Sequence, residues 1–268
     1  MTTGQSVIRY CAIALAVLLS VTIIASVVLS IAGVLSLLGG KRGVGEMKTF
    51  EIGEEVKSLD INIGAAELKI VTGGEFRVES NIGKLTVSCR NGMLKISEKR
   101  RLSLSYDGKA VLKVCIPEGT VFEKLSLDAG AGTVDIDSVS AETVKLDLGA
   151  GKTEIGMLVA TGKTEIDGGA GKISVKDGRI NSLDADTGAG AMDIAGVLTG
   201  TSRISIGVGR AELTLRGGED AYRFDVDKGI GRVTVGGREM SDGEKCGSGD
   251  NLIEIDGGIG SVTVTFAD

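Results

Sequence analysis

Few side chains in this sequence could carry out catalytic chemistry. Its 268 residues include no His, no Trp and only 3% aromatic residues. Without His, the chain lacks the side chain that most often transfers protons near neutral pH and the commonest metal ligand. A Ser-His-Asp triad is therefore excluded, and we expect a protein that is not an enzyme and uses no cofactor.

A regular set of aspartates is the main group of side chains that could bind a ligand. In six copies of a repeat, an Asp stands two residues before the first glycine of a Gly-x-Gly pair: Asp128, Asp147, Asp167, Asp186, Asp227 and Asp256. Ser205 and Asn62 take this place in two further copies. Two interpretations remain open. Each Asp accepts a hydrogen bond from its glycine N–H in an Asx-turn, or the set binds cations.

Three glycine-rich motifs superficially suggest nucleotide or calcium binding. Gly-Lys-Thr occurs at 151–153 and 162–164, but Leu146 and Met157 stand where a P-loop needs its first glycine. The stretch DGGAGKISV resembles a calcium-binding nonapeptide, but Ile173 replaces the required Asp. GAGKTEIG lacks the third glycine of a dinucleotide fingerprint. We therefore expect no nucleotide and no calcium by these routes.

The charge and the aromatic content argue against nucleic acid as a partner. The net charge is −6, whereas phosphate backbones require a basic surface. Platforms for single-stranded nucleic acid also need aromatic rings on which the bases stack.

The glycine pairs reveal an internal repeat. In the first five full copies they recur every 19 or 20 residues, a spacing typical of stacked-repeat proteins. A degenerate copy begins at Leu59, where Gly64 and Ala66 match the pair. The full pairs are Gly130/Gly132, Gly149/Gly151, Gly169/Gly171, Gly188/Gly190, Gly207/Gly209, Gly229/Gly231 and Gly258/Gly260.

Apolar residues alternate within each repeat, which indicates strands with one buried face. Leu125, Leu127 and Ala129 share one parity before a glycine pair, and Val134 and Ile136 have the opposite parity after it. A straight strand cannot change its inward face by one residue, so the chain must bulge or turn a corner at Gly-x-Gly. We predict an all-β fold, a parallel β-solenoid of the right-handed β-helix type with about eight coils of about 20 residues.

The repeat domain is predicted to cover 56–268, after a linker at 41–55. Residues 75–120 break the period but keep strand-like runs, and we interpret them as an irregular β insertion that caps the solenoid. Residues 236–251 are expected to form a surface loop that lengthens the last coil. The strand at 262–266 would then form an open edge, which could pair with another molecule.

An uncharged stretch from Cys11 to Leu38 predicts a membrane anchor. At 1.5 Å per helical residue, it exceeds the roughly 30 Å of bilayer hydrocarbon. We expect a transmembrane helix over 7–40, which binds the membrane, after a short N-terminal tail at 1–6. The alternatives are a buried core helix or a cleaved signal peptide, whose apolar core is usually about 7–15 residues.

The flanking charges and the length of the apolar run predict opposite orientations. Arg9 precedes the run, whereas Lys41, Arg42 and Lys48 follow it, so the positive-inside rule would leave the C-terminal domain in the cytoplasm. A short N-terminal tail and a long apolar run instead suit a signal-anchor, and long domains translocate largely regardless of charge. We expect a single-pass protein of the cell membrane with its C-terminal domain outside the cytoplasm.

The stretch VLKVCIPEGTVFEKLSLDAGAGTVDID, followed by LDLGAG, IDGGAG and DVDKGIG units, resembles the bacterial and archaeal putative-adhesin family of uncharacterised β-solenoid domains. The resemblance covers residues 56–268, and its most specific element is Ile116, Pro117 and Gly119. It implies an extracytoplasmic, often membrane-anchored solenoid without catalytic residues, and some members are linked to cell-envelope stress systems.

Two functions follow from these patterns. The first is a non-enzymatic surface or cell-envelope protein, adhesin-like or structural, with a protein or envelope component as partner. The second is a cytoplasmic, membrane-tethered β-helical polymer similar to bactofilins, which would assemble through its open last coil.

Overall fold

The computed structural model describes residues 42–98 and 106–267, so the anchor predicted at 7–40 lies outside the described residues. Within the described ranges, no helix is long and apolar enough to cross a membrane. The chain forms two compact units. In the first, two short strands pair in parallel, with Arg42 opposite Tyr106 and Gly43 opposite Asp107. The second unit holds the other described strands.

Extended structure dominates the described residues, and a single 3-10 turn, η1 (Glu219–Ala221), interrupts it there. The strands before the regular repeats are β1 (Arg42–Gly43), β2 (Lys48–Glu51), β3 (Ser58–Gly73), β4 (Arg77–Ser80), β5 (Leu85–Arg90), β6 (Met93–Glu98), β7 (Tyr106–Asp107) and β8 (Val111–Pro117). Those that follow are β9 (Val121–Ala160), β10 (Thr164–Val175), β11 (Gly178–Asn181), β12 (Leu183–Thr199), β13 (Thr201–Arg216), β14 (Tyr222–Asp227), β15 (Ile230–Val235), β16 (Arg238–Glu239), β17 (Glu244–Gly247) and β18 (Asn251–Ala267).

The repeats stack as parallel coils in register. Ile166 of β10 pairs with Leu146 of β9 on one side and with Ala185 of β12 on the other. Equivalent positions of successive repeats therefore form columns that run across the strands. This is the solenoid arrangement that the period predicts.

The core lies inside the coils, and its burial follows the predicted alternation. Leu125 and Leu127 are buried before a glycine pair, and Val134 and Ile136 are buried after it. The inward face thus changes parity across the pair. A single coil cannot cover the upper and lower sides of its own apolar side chains. These side chains are therefore buried only when coils stack on both sides.

The stack does not follow chain order at the end where the repeats finish. The coil that contains β18 lies between β13 and the coil formed by β14 and β15. Val262 of β18 pairs with Ala211 of β13 and with Val233 of β15. The prediction of an open edge at 262–266 is therefore wrong for 262–264, where both edges of the strand are paired.

The other end of the stack has a similar exchange. Strand β3 lies between β9 on one side and β6 and β8 on the other. Ile61 of β3 accordingly pairs with Leu127 and with Ile96. The segment 75–120, interpreted from sequence as a cap, supplies this outer layer through β4, β5, β6 and β8.

Antiparallel strands cover the outermost coils. At one end β17 pairs with β14 and β16 pairs with β15, so the expected surface loop at 236–251 contains two strands of the sheet. At the other end β4 pairs with β8, β2 with β4, and β5 with β6. Strand edges that could recruit another chain are thus partly occupied. The rings of Tyr222, Phe224 and Phe266 close the core beside β18, with centroids 6.1–6.4 Å apart.

Candidate functional site

The second glycine of each pair is required by close contact between coils. A Cβ atom on Gly171 would lie 1.9 Å from the carbonyl oxygen of Gly151, and Gly171 has a φ of +150°. A side chain there would clash with backbone, which cannot rotate away. A similar approach, 1.7–2.2 Å, occurs at Gly132, Gly151, Gly190, Gly209, Gly231 and Gly260. The corresponding distances at the first glycines are 1.9–3.0 Å, at Gly130, Gly149, Gly169, Gly188, Gly207, Gly229 and Gly258.

The residues between the paired glycines form an exposed apolar ridge along the solenoid. Parallel register stacks these middle residues in one column, and none of them is buried. In stack order, the apolar ridge consists of Ala65, Ala131, Ala150, Ala170, Ala189, Val208, Ile259 and Ile230. Val208 and Ile230 are 38% and 53% exposed. The sequence signal for this ridge is the residue between the two glycines, which is Ala in the first copies and Val or Ile in the last three. This signal becomes visible only when the repeats are aligned.

The predicted aspartates line one side of the ridge and form an acidic column. Asp147, Asp167 and Asp186 lie on consecutive coils, and Ser205 separates them from Asp256. Asp256 in turn pairs with Asp227. At the other end of the column, Asp128 pairs with Asn62 and accepts a hydrogen bond of 2.8 Å from its amide.

The Asx-turn interpretation is wrong for five members of the acidic column. In the part of the chain that the structure describes, no corner N–H donates to Asp147, Asp167, Asp186, Asp227 or Asp256. The physical reason is that strand pairing is interrupted only at the first glycine of the pair and resumes at the next residue, so the chain does not fold back as an Asx-turn requires. Gly168 still pairs with Leu148, and Ala170 with Ala150.

A lysine offsets part of the repulsion within the acidic column. The Nζ of Lys145 lies 3.8 Å from a carboxylate oxygen of both Asp147 and Asp167, and 3.2 Å from Glu165. Burial raises the pKa of Asp167, and its hydrogen bond and repulsion with Asp147 raise it further. Among the described residues, no three acidic or thiol side chains are arranged to hold a metal ion. The geometry therefore favours neither original interpretation.

Basic side chains follow the glycine pair on the other side of the ridge. Lys152 and Lys172 pair with each other in register, and Arg210 and Arg232 occupy the same position in later coils. Their side chains are 43–70% exposed. We call these four residues the basic column, and we call the apolar ridge with its acidic and basic columns the corner surface.

The lysines of the Gly-Lys-Thr motifs take part in surface ion pairs. Lys152 Nζ lies 3.0 Å from Glu154, and Lys163 pairs with Glu165. Hydrogen bonds from Lys163, and then from Lys145, lower the pKa of Glu165. Both motifs belong to extended coils, where the helix N-terminus of a P-loop is replaced by strand.

Glycine-cornered coils stacked in parallel register define a β-solenoid repeat protein. Residues 51–239 match the family model described as Toastrack DUF4097. The chain belongs to this family, which confirms the resemblance to an uncharacterised β-solenoid family. The predicted anchor lies outside the matched residues.

Several solved structures are similar to this chain at low identity. A putative adhesin from Bacteroides fragilis is 11% identical, with a TM-score of 0.46 over 84% of this chain and 100% of that one. A putative cell adhesion protein from Clostridium sporogenes is 16% identical, with a TM-score of 0.33 over 83% and 99%. A putative lipid binding protein from Parabacteroides distasonis is 14% identical, with a TM-score of 0.34 over 85% and 100%. No curated protein matches the chain.

Proposed function

We propose that this protein is a membrane-anchored, non-enzymatic interaction module of the cell envelope, and that its corner surface is the binding surface. The observation that carries this proposal is the apolar ridge, on which Val208 and Ile230 remain exposed while the inward-facing apolar side chains of the coils are buried. Contiguous exposed apolar surface marks interaction sites, whereas single scattered apolar side chains do not.

The chemistry of the corner surface supports binding in preference to catalysis. The apolar ridge is aliphatic, the acidic column carries carboxylates, and the basic column carries Lys and Arg side chains. The chain has no His. The basic side chains pair with neighbouring carboxylates, as Arg210 does with Glu212 at 3.4 Å. A nucleophile next to a general base would be needed for covalent catalysis, and these columns offer no such pairing.

We place the domain outside the cytoplasm because the uncharged stretch from Cys11 to Leu38 suits a signal-anchor. The capped ends of the stack give no support to end-to-end polymerisation. An extended surface column, by contrast, suits adhesin-like or structural contacts along the length of the solenoid.

The placement is tested by adding protease to intact spheroplasts that express the full chain. We expect the domain to be degraded while a cytoplasmic marker protein survives. Protection of the domain until the cells are lysed would overturn the placement and restore the cytoplasmic alternative.

A further inference from the structure

On three coils the two sides of the apolar ridge carry opposite charges at the same level of the stack. On the coil that contains Ile230, Asp227 precedes the ridge and Arg232 follows it. On the coil that contains Ala170, Asp167 and Lys172 have the same relation. The coil that contains Ala150 has a third such pair, Asp147 and Lys152. On the other coils the position after the glycine pair holds Glu67, Thr133, Ala191, Arg210 or Ser261. The corner surface is therefore a row of aliphatic side chains with opposite charges on its two sides at three of the eight coils.

This pattern is self-complementary in one orientation only. Consider two copies whose ridges face each other. A two-fold axis parallel to the stack brings the acidic column of each copy opposite the basic column of the other. A two-fold axis perpendicular to the stack, which makes the copies antiparallel, brings acidic against acidic and basic against basic. Like charges in contact are costly, so the parallel pair is strongly favoured.

We infer that the corner surface binds a second copy of this chain, in parallel and with equivalent coils side by side. Asp227 of each copy then faces Arg232 of the other, and Val208 meets its own equivalent across the axis. A second copy also repeats its side chains at the same spacing of about 4.8 Å between strands, so its contacts stay in step along all eight coils. An extended peptide, with about 6.8 Å between side chains on one face, would fall out of step.

The symmetry also fits two copies in one membrane, and in this respect the inference rests on the proposed function. A parallel two-fold axis leaves β2 of both copies at the same end of the pair. Both chains can then continue into anchors in one bilayer. An antiparallel pair would place the two β2 strands at opposite ends.

The size of the ridge indicates that the pair depends on tethering. Eight coils span seven strand spacings, about 34 Å, and a contact about 10 Å wide buries roughly 700 Å² in total. Stable interfaces usually bury about 1,200 Å² or more. Confinement in a membrane raises the effective concentration and compensates for the small contact. The test must therefore use the full chain in its membrane.

The parallel pair is tested by disulfide cross-linking of single-cysteine variants in cell membranes, after the native cysteines have been replaced. We expect Val208→Cys and Ile230→Cys each to form a covalent homodimer with a membrane-permeant oxidant. Arg179→Cys, exposed on β11 away from the ridge, is the control and should stay monomeric. Monomer at both ridge positions would overturn the inference, and so would cross-links only to other proteins.

Orientation and charge are tested separately. An antiparallel pair would join Val208→Cys of one chain to Ala150→Cys of a differently tagged chain, and that product would overturn the parallel arrangement. Asp227→Arg or Arg232→Asp alone should lower the Ile230→Cys dimer yield at least fivefold, and the double swap should restore it. Failure of the swap to restore the yield would contradict the charge pairing. Because the oxidant crosses membranes, these outcomes do not depend on which side the domain occupies.

Discussion

A Cβ atom on Gly171 would lie 1.9 Å from the carbonyl oxygen of Gly151 in the neighbouring coil. The same contact recurs along the whole column of second glycines. The backbones of neighbouring coils therefore approach each other at the corner with no room for a side chain between them. The apolar ridge stands on this column, and its exposure depends on the glycines that flank it.

Gly171→Ala should therefore lower the free energy of unfolding by about 3 kcal/mol or more, through overpacking and backbone strain. Gly53→Ala is the matched control, because nothing lies within 4 Å of its Cβ position and its φ is not positive. It should change stability by less than about 0.5 kcal/mol. Urea unfolding measures both variants, and similar losses for the two would contradict the close-contact explanation.

Thr164→Val should stabilise the protein by about 1 kcal/mol, because the hydroxyl of Thr164 is buried without a hydrogen-bond partner in the described part of the chain. Val144 and Leu183 occupy the same column on either side, so an aliphatic side chain suits the site. Thr133→Val, on the exposed corner, is the control and should be nearly neutral. A loss of stability in Thr164→Val would show that the hydroxyl is hydrogen-bonded.

Glu98→Ala should destabilise the end of the stack by about 1–3 kcal/mol. Glu98 is 6% exposed, and its Oε2 accepts a hydrogen bond of 3.0 Å from the N–H of Gly64 at the first corner. Glu98→Gln keeps an accepting oxygen and should lose less than half as much. Equal losses in urea unfolding would indicate that charge or packing, rather than this hydrogen bond, holds Glu98 in place.

Asp167→Asn should raise the melting temperature at pH 7. Burial and the neighbouring Asp147 raise the pKa of Asp167, so its ionised form is less stable in the folded protein than in the unfolded chain. This penalty is present above the raised folded pKa and disappears below the ordinary value of 3.8, where both states are protonated. The advantage of the variant should therefore shrink as the pH falls. Asp250→Asn, on an exposed turn, is the control, and an advantage that persists below pH 3.8 would contradict this explanation.

The sequence predicted the inward face of each coil but not the order of the coils. Leu125 and Val134 reveal their burial by parity, because alternation is a local property of the strand. Nearly identical repeats, however, offer similar apolar faces to any neighbour. Nothing local therefore shows that Val262 packs between Ala211 and Val233. In the observed order, β16 and β17 pair with β15 and β14 of the outermost coil.

The corner surface was predictable only in part. The acidic column was found from the sequence because each Asp stands two residues before the first glycine of a pair. The basic residues likewise stand directly after the second glycine. The Asx-turn was wrong because it assumed that the chain folds back at the corner, whereas strand pairing resumes directly after the first glycine, as Ala170 does with Ala150. Glu98 was missed because its contact with Gly64 joins segments that no repeat relates.

The stacking order decides which residues are neighbours along the apolar ridge and both charged columns, because β18 lies between β13 and the coil formed by β14 and β15. Spin labels at positions 147 and 256, compared with labels at 147 and 227, measure this order directly. The register places Asp256 four strand spacings from Asp147, about 19 Å, and Asp227 five spacings away, about 24 Å.

The distances are measured by pulsed electron spin resonance on the full chain without native cysteines, diluted with unlabelled protein so that only intramolecular pairs contribute. We predict that the 147–256 distance is shorter than the 147–227 distance by about one strand spacing, about 4.8 Å. The reverse order, with 227 nearer than 256, would mean that the coils follow chain order and would contradict the position of β18 between β13 and the coil of β14 and β15.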